Sequence, residues 1–405
     1  MANLSDLTSQ CIRCGFCLES CPTFMMSGNE VESPRGRIYL AKSAAAGDIA
    51  WDATAAALDT CLGCRACETA CPSGVQYGEI LELARAEVRK GDRRPWMERL
   101  LQVTTRPAML RANLMLGELL PSGPMPKFLS GNLSDEPAQA DRPRVPSPTP
   151  WPELDEAELP AVRGEVYLLE GCAMRVLYPD VNEATRRLLR RAGFRVRETS
   201  AGCCGALHAH SGYLREADEL ATGLAKAMPD DLPVIVNSAG CGSTIKDYGA
   251  VVGAGLEGFA SRAVDIAEFL AGVDFEQQLA ASSGLPGVRL TYHDACHLVH
   301  GQRVASAPRR LLEAIPGVEL VPLLEADVCC GSAGTYNLTQ PSRARKLLDR
   351  KWDNVAATGA QIVVMGNPGC QTWIGQAARE SGECIEVRHT ADVLESSFSG
   401  LRRLG

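Results

Sequence analysis

At 405 residues the chain is too long for one ordinary core, so two or three domains are expected, and a hydrophobic content of 45% suits globular packing. A formal net charge of -8 offers no basic footprint for nucleic acid. No apolar run reaches the length of a membrane span, and Met1-Ala2-Asn3-Leu4-Ser5-Asp6 has neither the basic nor the apolar region of a signal peptide, so a soluble, cytoplasmic chain with no transmembrane segment is expected.

The first elements in chain order are two cysteine runs with the same spacing, Cys11-Ile12-Arg13-Cys14-Gly15-Phe16-Cys17-Leu18-Glu19-Ser20-Cys21-Pro22 and Cys61-Leu62-Gly63-Cys64-Arg65-Ala66-Cys67-Glu68-Thr69-Ala70-Cys71-Pro72. Each is C-x2-C-x2-C-x3-C-P, the bacterial ferredoxin signature. Three thiolates two residues apart wrap one corner of an iron–sulfur cube, while the fourth, followed by a helix-averse proline, points away and ligates the other cube. This pattern assigns Cys11, Cys14, Cys17 and Cys71 to one 4Fe–4S cluster and Cys61, Cys64, Cys67 and Cys21 to a second. Disulfides would need an oxidising compartment, and zinc sites take a pair of C-x-x-C hooks rather than two full runs.

The segment between the runs carries helix formers in Gly36-Arg37-Ile38-Tyr39-Leu40-Ala41-Lys42 and Asp52-Ala53-Thr54-Ala55-Ala56-Ala57-Leu58, which fits an all-helical ferredoxin-like module better than a small β-rich one. Arg35 and Arg37, with Arg13 and Arg65 inside the runs, are candidates for raising the potential of a negatively charged cluster. Glu79 to Lys90 reads as the closing helix. Trp96 to Leu120 reads as one amphipathic helix with Leu100, Leu101, Met109, Leu110 and Leu114 on its apolar face. Nine prolines between Pro121 and Pro152 mark a linker.

Beyond the linker the pattern turns to α/β. Glu165-Val166-Tyr167-Leu168-Leu169 reads as a strand ending at Gly171-Cys172, Asp180 to Ala192 as a helix, and Pro233-Val234-Ile235-Val236 as a strand leading to Gly240-Cys241. The order recurs with strand Val288-Arg289-Leu290-Thr291-Tyr292 before Cys296, a helix through Arg309-Arg310-Leu311-Leu312, and strand Gln361-Ile362-Val363-Val364-Met365 before Gly369-Cys370. Each half carries a doublet, Cys203-Cys204-Gly205 or Cys329-Cys330-Gly331, so the region is an internal duplication. Cys172, Cys203, Cys204 and Cys241 in one half, and Cys296, Cys329, Cys330 and Cys370 in the other, follow strands where α/β units gather ligand-binding groups. They can bridge irons in an unusual cluster, hold zinc, or hold nothing and form a docking surface. Cys384, the odd one among 17 cysteines, is expected to be a buried structural thiol.

The two repeats resemble the CCG domains of heterodisulfide reductase, although the terminal C-x-x-C of that family is replaced by Cys241-Gly242-Ser243-Thr244 and Cys370-Gln371-Thr372-Trp373, leaving each half one ligand short. The whole order is similar to the iron–sulfur subunits of glycolate oxidase, and less closely to those of L-lactate and anaerobic glycerol 3-phosphate oxidation. The matching phrases are Glu32-Ser33-Pro34-Arg35-Gly36-Arg37-Ile38-Tyr39, Cys203-Cys204-Gly205-Ala206-Leu207-His208-Ala209-His210-Ser211-Gly212, Tyr292-His293-Asp294-Ala295-Cys296-His297-Leu298 and Cys329-Cys330-Gly331-Ser332-Ala333-Gly334-Thr335-Tyr336-Asn337. The resemblance implies an α+β multidomain chain: a double 4Fe–4S ferredoxin-like domain over 1–95, a helical segment and linker over 96–160, and duplicated α/β CCG domains over 161–280 and 281–405. It implies an electron-transfer subunit that receives electrons from FAD-binding partner subunits oxidising glycolate to glyoxylate and passes them to a membrane quinone, docked at the cytoplasmic face of the inner membrane. No catalytic residue is expected here, since no glycine fingerprint for flavin or nicotinamide follows a strand. An alternative is that the CCG half is itself a disulfide or quinone reductase. Of the histidines in these phrases and at His300, His208 and His297 are the leading auxiliary candidates, as a ligand or a proton carrier.

Overall fold

The computed structural model of the chain describes residues 3–119 and 150–400. The linker read from Pro121 to Pro152 falls, up to residue 149, outside the described residues, as does Leu120.

Residues 3–119 are helical and contain no strand. Helix Pro34–Ala46 starts where the Ser33 hydroxyl accepts from the Gly36 N–H at 3.0 Å and Pro34 fills a position whose N–H would be orphaned. Asp52 to Leu58, read as a run of helix formers, lies in a 3-10 turn Trp51–Thr54 followed by helix Ala55–Asp59. Ile38, Ala41 and Leu58 pack on Ile80, Leu81 and Ala84 of helix Tyr77–Gly91, which forms the floor beneath both cysteine runs.

The single helix expected over Trp96 to Leu120 is two helices, Pro95–Thr105 and Pro107–Leu119. Pro107 drives Arg106 to extended backbone (φ -110, ψ 103) and breaks the hydrogen-bond ladder there. The break resets the helical phase: Leu110 and Leu114 bury against Val176, while Met109, expected on the apolar face, turns to solvent.

The remainder forms two four-stranded sheets, each wholly parallel. The first contains β1 (Gly164–Leu169), β2 (Phe194–Arg197), β3 (Val234–Val236) and β4 (Ala263–Asp265) in the order β2-β1-β3-β4. The second contains β5 (Val288–Tyr292), β6 (Val318–Val321), β7 (Ile362–Met365) and β8 (Glu386–His389) in the order β6-β5-β7-β8. The registers correspond, with Gly164 opposite Phe194 and Val288 opposite Val318. Strands β2, β4, β6 and β8 are not legible as hydrophobic runs because they are three or four residues long and lie at the sheet edges, several carrying charge.

The repeats pack reciprocally. The last helix of the second, Thr390–Ser399, lies on the first long helix of the first, Pro179–Arg191, while helix Ile266–Gly272 of the first lies on helix Ser306–Glu313 of the second. Leu188, Leu270, Leu290, Leu311 and Leu394 therefore belong to one apolar core. Fully buried Glu395 accepts from Arg187 at 2.8 Å and from Arg191 at 2.9 Å across this contact. No helix among the described residues is long and apolar enough to cross a membrane.

Candidate metal centres

The two runs fold alike. In the first, Arg13 and Gly15 take left-handed backbone (φ 60 and 91); in the second, Gly63 and Arg65 do so at the same two positions (φ 66 and 63). Left-handed residues between right-handed ones turn successive N–H groups toward one concavity, a backbone form common to iron–sulfur and anion sites. For an arginine this costs roughly 1–3 kcal/mol and marks a functional constraint.

Cys11, Cys14, Cys17 and Cys71 line one cavity of about 410 Å³, which also touches Arg13, Arg35, Ile38 and Tyr77. The fold thus places Cys71 of the second run on the same wall as the first three cysteines of the first run. Cys67 lines the same cavity, so the two sulfur sets share a wall. Cys21, Cys61, Cys64 and Cys67 are all buried. The Cys67 thiol is pushed well above its ordinary range by burial and then by the Cys64 and Cys61 sulfurs, with Cys21 contributing. Four buried sulfurs that would repel one another as thiolates fit a bound cation cluster, the state in which such charges are neutralised.

Two arginines attend these sets. Arg37, 1% exposed, donates to Ala57 O at 2.7 Å, Thr23 Oγ1 at 3.0 Å and Thr60 Oγ1 at 3.1 Å, and its charge faces the Cys61 and Cys21 sulfurs. Burial pushes the Cys61 thiol up, but the Arg37 and Arg85 guanidiniums and the Tyr77 hydroxyl, donating at 3.4 Å, bring it below its ordinary value. Arg35 lines the first cavity, pairs with Glu30 at 2.6 Å and donates to Arg13 O at 3.2 Å.

In both repeats the cysteines follow the carboxyl ends of parallel strands on either side of the point where strand order reverses, where doubly wound sheets collect ligands. Cys172 and Cys203 sulfurs are 3.6 Å apart, Gly205 N–H points at Cys203 Sγ at 3.3 Å, and Cys204 couples to Cys241. The glycine of each doublet has a specific reason: a Cβ at Gly205 would lie 2.9 Å from Ala217 O, and one at Gly331 2.6 Å from Ala344 O. His208 is buried beside Cys203, its pKa lowered by burial, with Nδ1 unpartnered.

In the second repeat Cys296, Cys329, Cys330 and Cys370 interact as a chain of sulfurs. The histidine beside them is His293, which the sequence does not single out. One donor atom each from His293, Cys330 and Cys370 lie within 4.8 Å of one another. His297 is not in this group. Its ring turns away to stand 5.0 Å from the His210 ring. Cys384, expected to be buried, is exposed in the loop between helix Pro368–Ser381 and β8, while the neighbouring Ile385 packs on the second repeat's core.

The centres are joined to one another. Cys64 is raised well above its ordinary value by burial and then by the Cys296 sulfur, and Leu62, Cys64 and Ala66 share one apolar cluster with Cys296, Cys329, Cys330 and Cys370. On the other side of the second run, a cavity of about 520 Å³ is lined by Gly63, Arg65, Glu82, His210, Thr244 and His297, among others. Thr244 Oγ1 and His297 Nδ1 are buried there without partners, and His210 Nδ1 pairs with Glu82 at 2.7 Å. Arg65 bridges Glu68 to Asp247 and Ser243 of the first repeat, and Arg85 reaches Cys61 O at 2.7 Å and His210 O at 2.6 Å.

Residues 8–75 match the family described as a 4Fe-4S dicluster domain, and residues 166–246 and 290–375 match the cysteine-rich domain family. These matches imply iron–sulfur cofactors, which the cysteine sets fit. The chain is 34% identical over 405 residues to the glycolate oxidase iron-sulfur subunit of Escherichia coli (strain K12), covering 96% of this chain and 93% of that protein. It is 36% identical over 423 residues to the probable glycolate oxidase iron-sulfur subunit of Bacillus subtilis (strain 168), covering 95% and 92%. Lactate utilization protein A of Geobacillus kaustophilus (strain HTA426) is 32% identical over 239 residues, which is 57% of this chain and 99% of that protein. The chain belongs to the family of glycolate oxidase iron-sulfur subunits.

Proposed function

We propose that the chain is the electron-transfer subunit of a glycolate dehydrogenase-type complex, taking electrons from an FAD-binding partner that oxidises glycolate to glyoxylate and delivering them to a quinone. The observation that carries this reading is the contiguity of the sulfur sets: the first run's cavity shares Cys67 with the second set, whose Cys64 lies in one buried cluster with Cys296. Cys11, Cys14, Cys17 and Cys71 would hold one 4Fe–4S cluster and Cys21, Cys61, Cys64 and Cys67 the other, and when bound these groups supply one-electron chemistry. Arg37 sets a desolvated positive charge against Cys61 and Cys21, which favours the more negative, reduced state. Arg35 does the same, more weakly, from the rim of the first cavity.

The cavity between Gly63 and the first repeat is the candidate position for the acceptor's head group. Thr244 and His297 offer unpartnered polar atoms, and the His210–Glu82 pair offers a proton route. The match to lactate utilization protein A over 99% of that protein's length makes lactate the second substrate to test.

The test is anaerobic purification of the chain with its flavin partner, followed by substrate-driven reduction of a quinone analogue and electron paramagnetic resonance of the reduced protein. Glycolate-dependent reduction that disappears with Cys21→Ser and Cys71→Ser supports the reading. Oxidation of glycolate by this chain alone, or reduction unaffected by both substitutions, overturns it.

A further inference from the structure

We infer that the second repeat holds a single zinc-type divalent ion on His293 Nε2 and the Cys330 and Cys370 sulfurs, with Cys296 completing the tetrahedron. The site is built from a residue that the first repeat lacks. His293 and Leu169 occupy the same position, one residue beyond β5 and at the end of β1, each three residues before the first cysteine of its repeat. An imidazole thus replaces an aliphatic side chain at the same depth of an otherwise duplicated fold.

The His293 ring is oriented for ligation. It is fully buried, and Nδ1 lies 3.1 Å from Ala326 O. A carbonyl oxygen only accepts, so Nδ1 carries the proton and the neutral ring presents its lone pair at Nε2. A backbone carbonyl that fixes the tautomer in this way is the usual outer partner of a metal-bound histidine. Nε2 itself is buried with no hydrogen-bond partner, and it faces Cys330 and Cys370.

The spacing and charge fit one ion. Donors around tetrahedral zinc stand roughly 3.5–3.8 Å apart, given metal–ligand lengths of about 2.0–2.3 Å, and the three atoms here already lie within 4.8 Å of one another. Cys296 stands three residues after His293 and lies in the same buried cluster as Cys330 and Cys370, which makes it the candidate fourth ligand. The Lys351 ammonium, 2% exposed and donating to the Glu325 and Ala326 carbonyls, holds positive charge beside the doublet and lowers the cost of its thiolates. The Asn367 amide donates to Cys370 Sγ at 3.5 Å. One imidazole nitrogen beside three cysteine sulfurs, in place of the missing fifth cysteine, fits a tetrahedral Cys3His zinc site rather than an all-thiolate iron–sulfur assembly.

The inference concerns the ligands of the second repeat and holds whether or not the substrate is glycolate. The experiment is metal analysis and zinc K-edge absorption on the full chain purified anaerobically, with His293→Ala and His293→Cys variants. The expected result is about one zinc per chain in a shell of three sulfurs and one nitrogen. His293→Ala should then lose zinc to a chelator at least tenfold faster, and His293→Cys should retain it with an all-sulfur shell. Iron content and the paramagnetic signals of the amino-terminal clusters report folding and should be unchanged in both variants. An all-sulfur zinc shell in the parent, zinc retention unaffected by His293→Ala, or iron beyond two cubes that falls with His293→Ala would each overturn it. Loss of the amino-terminal iron with zinc intact would instead count against the electron-transfer reading alone.

Discussion

Glu32 and Arg343 meet in a two-point ion pair, both contacts 2.6 Å, that fastens the amino-terminal cysteine segment to the second repeat. Glu32 stands 11 residues after Cys21, and its backbone oxygen accepts from Thr23 Oγ1 at 2.9 Å, so the pair holds the loop beside a proposed ligand. Glu32→Gln is expected to cost roughly 1–3 kcal/mol, measured by thermal unfolding. Arg343 holds the Glu32 carboxyl below its usual range. A depressed carboxyl contributes stability above its unfolded pKa and loses it as pH falls through the folded value. The gap between variant and parent should therefore close below about pH 4.5.

Arg37 separates charge from packing. Arg37→Lys keeps a cation but loses the fork that reaches Ala57, Thr23 and Thr60, whereas Arg37→Met keeps bulk and loses the cation. Both are expected to destabilise by roughly 2–4 kcal/mol. Only Arg37→Met should also lower the reduction potential of the second proposed cluster, read by redox titration. Equal potentials in the two variants would remove the electrostatic role.

Asp265 caps helix Ile266–Gly272, accepting from Ala267 N–H at 2.9 Å, and burial raises its pKa to about 7. A raised pKa means that the contribution is fully present below the unfolded value near pH 3.8 and is lost as pH rises through 7. Asp265→Asn keeps a good cap and carries no charge. The variant should therefore gain on the parent between pH 4 and pH 8, by at most on the order of 4 kcal/mol, in denaturant titrations at several pH values.

Cys384 provides the contrasting case. As an exposed thiol outside every sulfur set, it should react first with a maleimide in the folded protein, and Cys384→Ser should leave iron content, zinc content and stability unchanged within about 0.5 kcal/mol.

The ligand frame is readable because cysteine spacing is a local code: Cys11 to Cys21 and Cys61 to Cys71 declare their chemistry without reference to the fold. The central strands β1, β3, β5 and β7 are readable for the same reason, being buried apolar runs rather than charged edges. What spacing cannot carry is which side chains from distant elements share a centre. His293 looks no different from His297 in the sequence, yet one faces Cys330 and Cys370 while the other faces His210, because a single turn of irregular helix, His297–Gly301, follows Cys296 and redirects the chain. Cys384 defeats the expectation of burial because the cover over a lone thiol depends on what packs on its loop, and nothing in Glu383-Cys384-Ile385 signals that. The break at Arg106 is different, since the proline after it is a local stop for a helix that the apolar periodicity on either side conceals.

The reciprocal packing of helices between the two repeats has a consequence for how the carboxyl-terminal body comes apart. Unfolding one half strips its sibling of a covering helix and leaves Glu395 or Leu270 facing water, so neither half has an independent melting point, and calorimetry should record one peak. A half-length gene product carrying a single repeat would satisfy the same surfaces only by lending its last helix to a twin, as a swapped dimer.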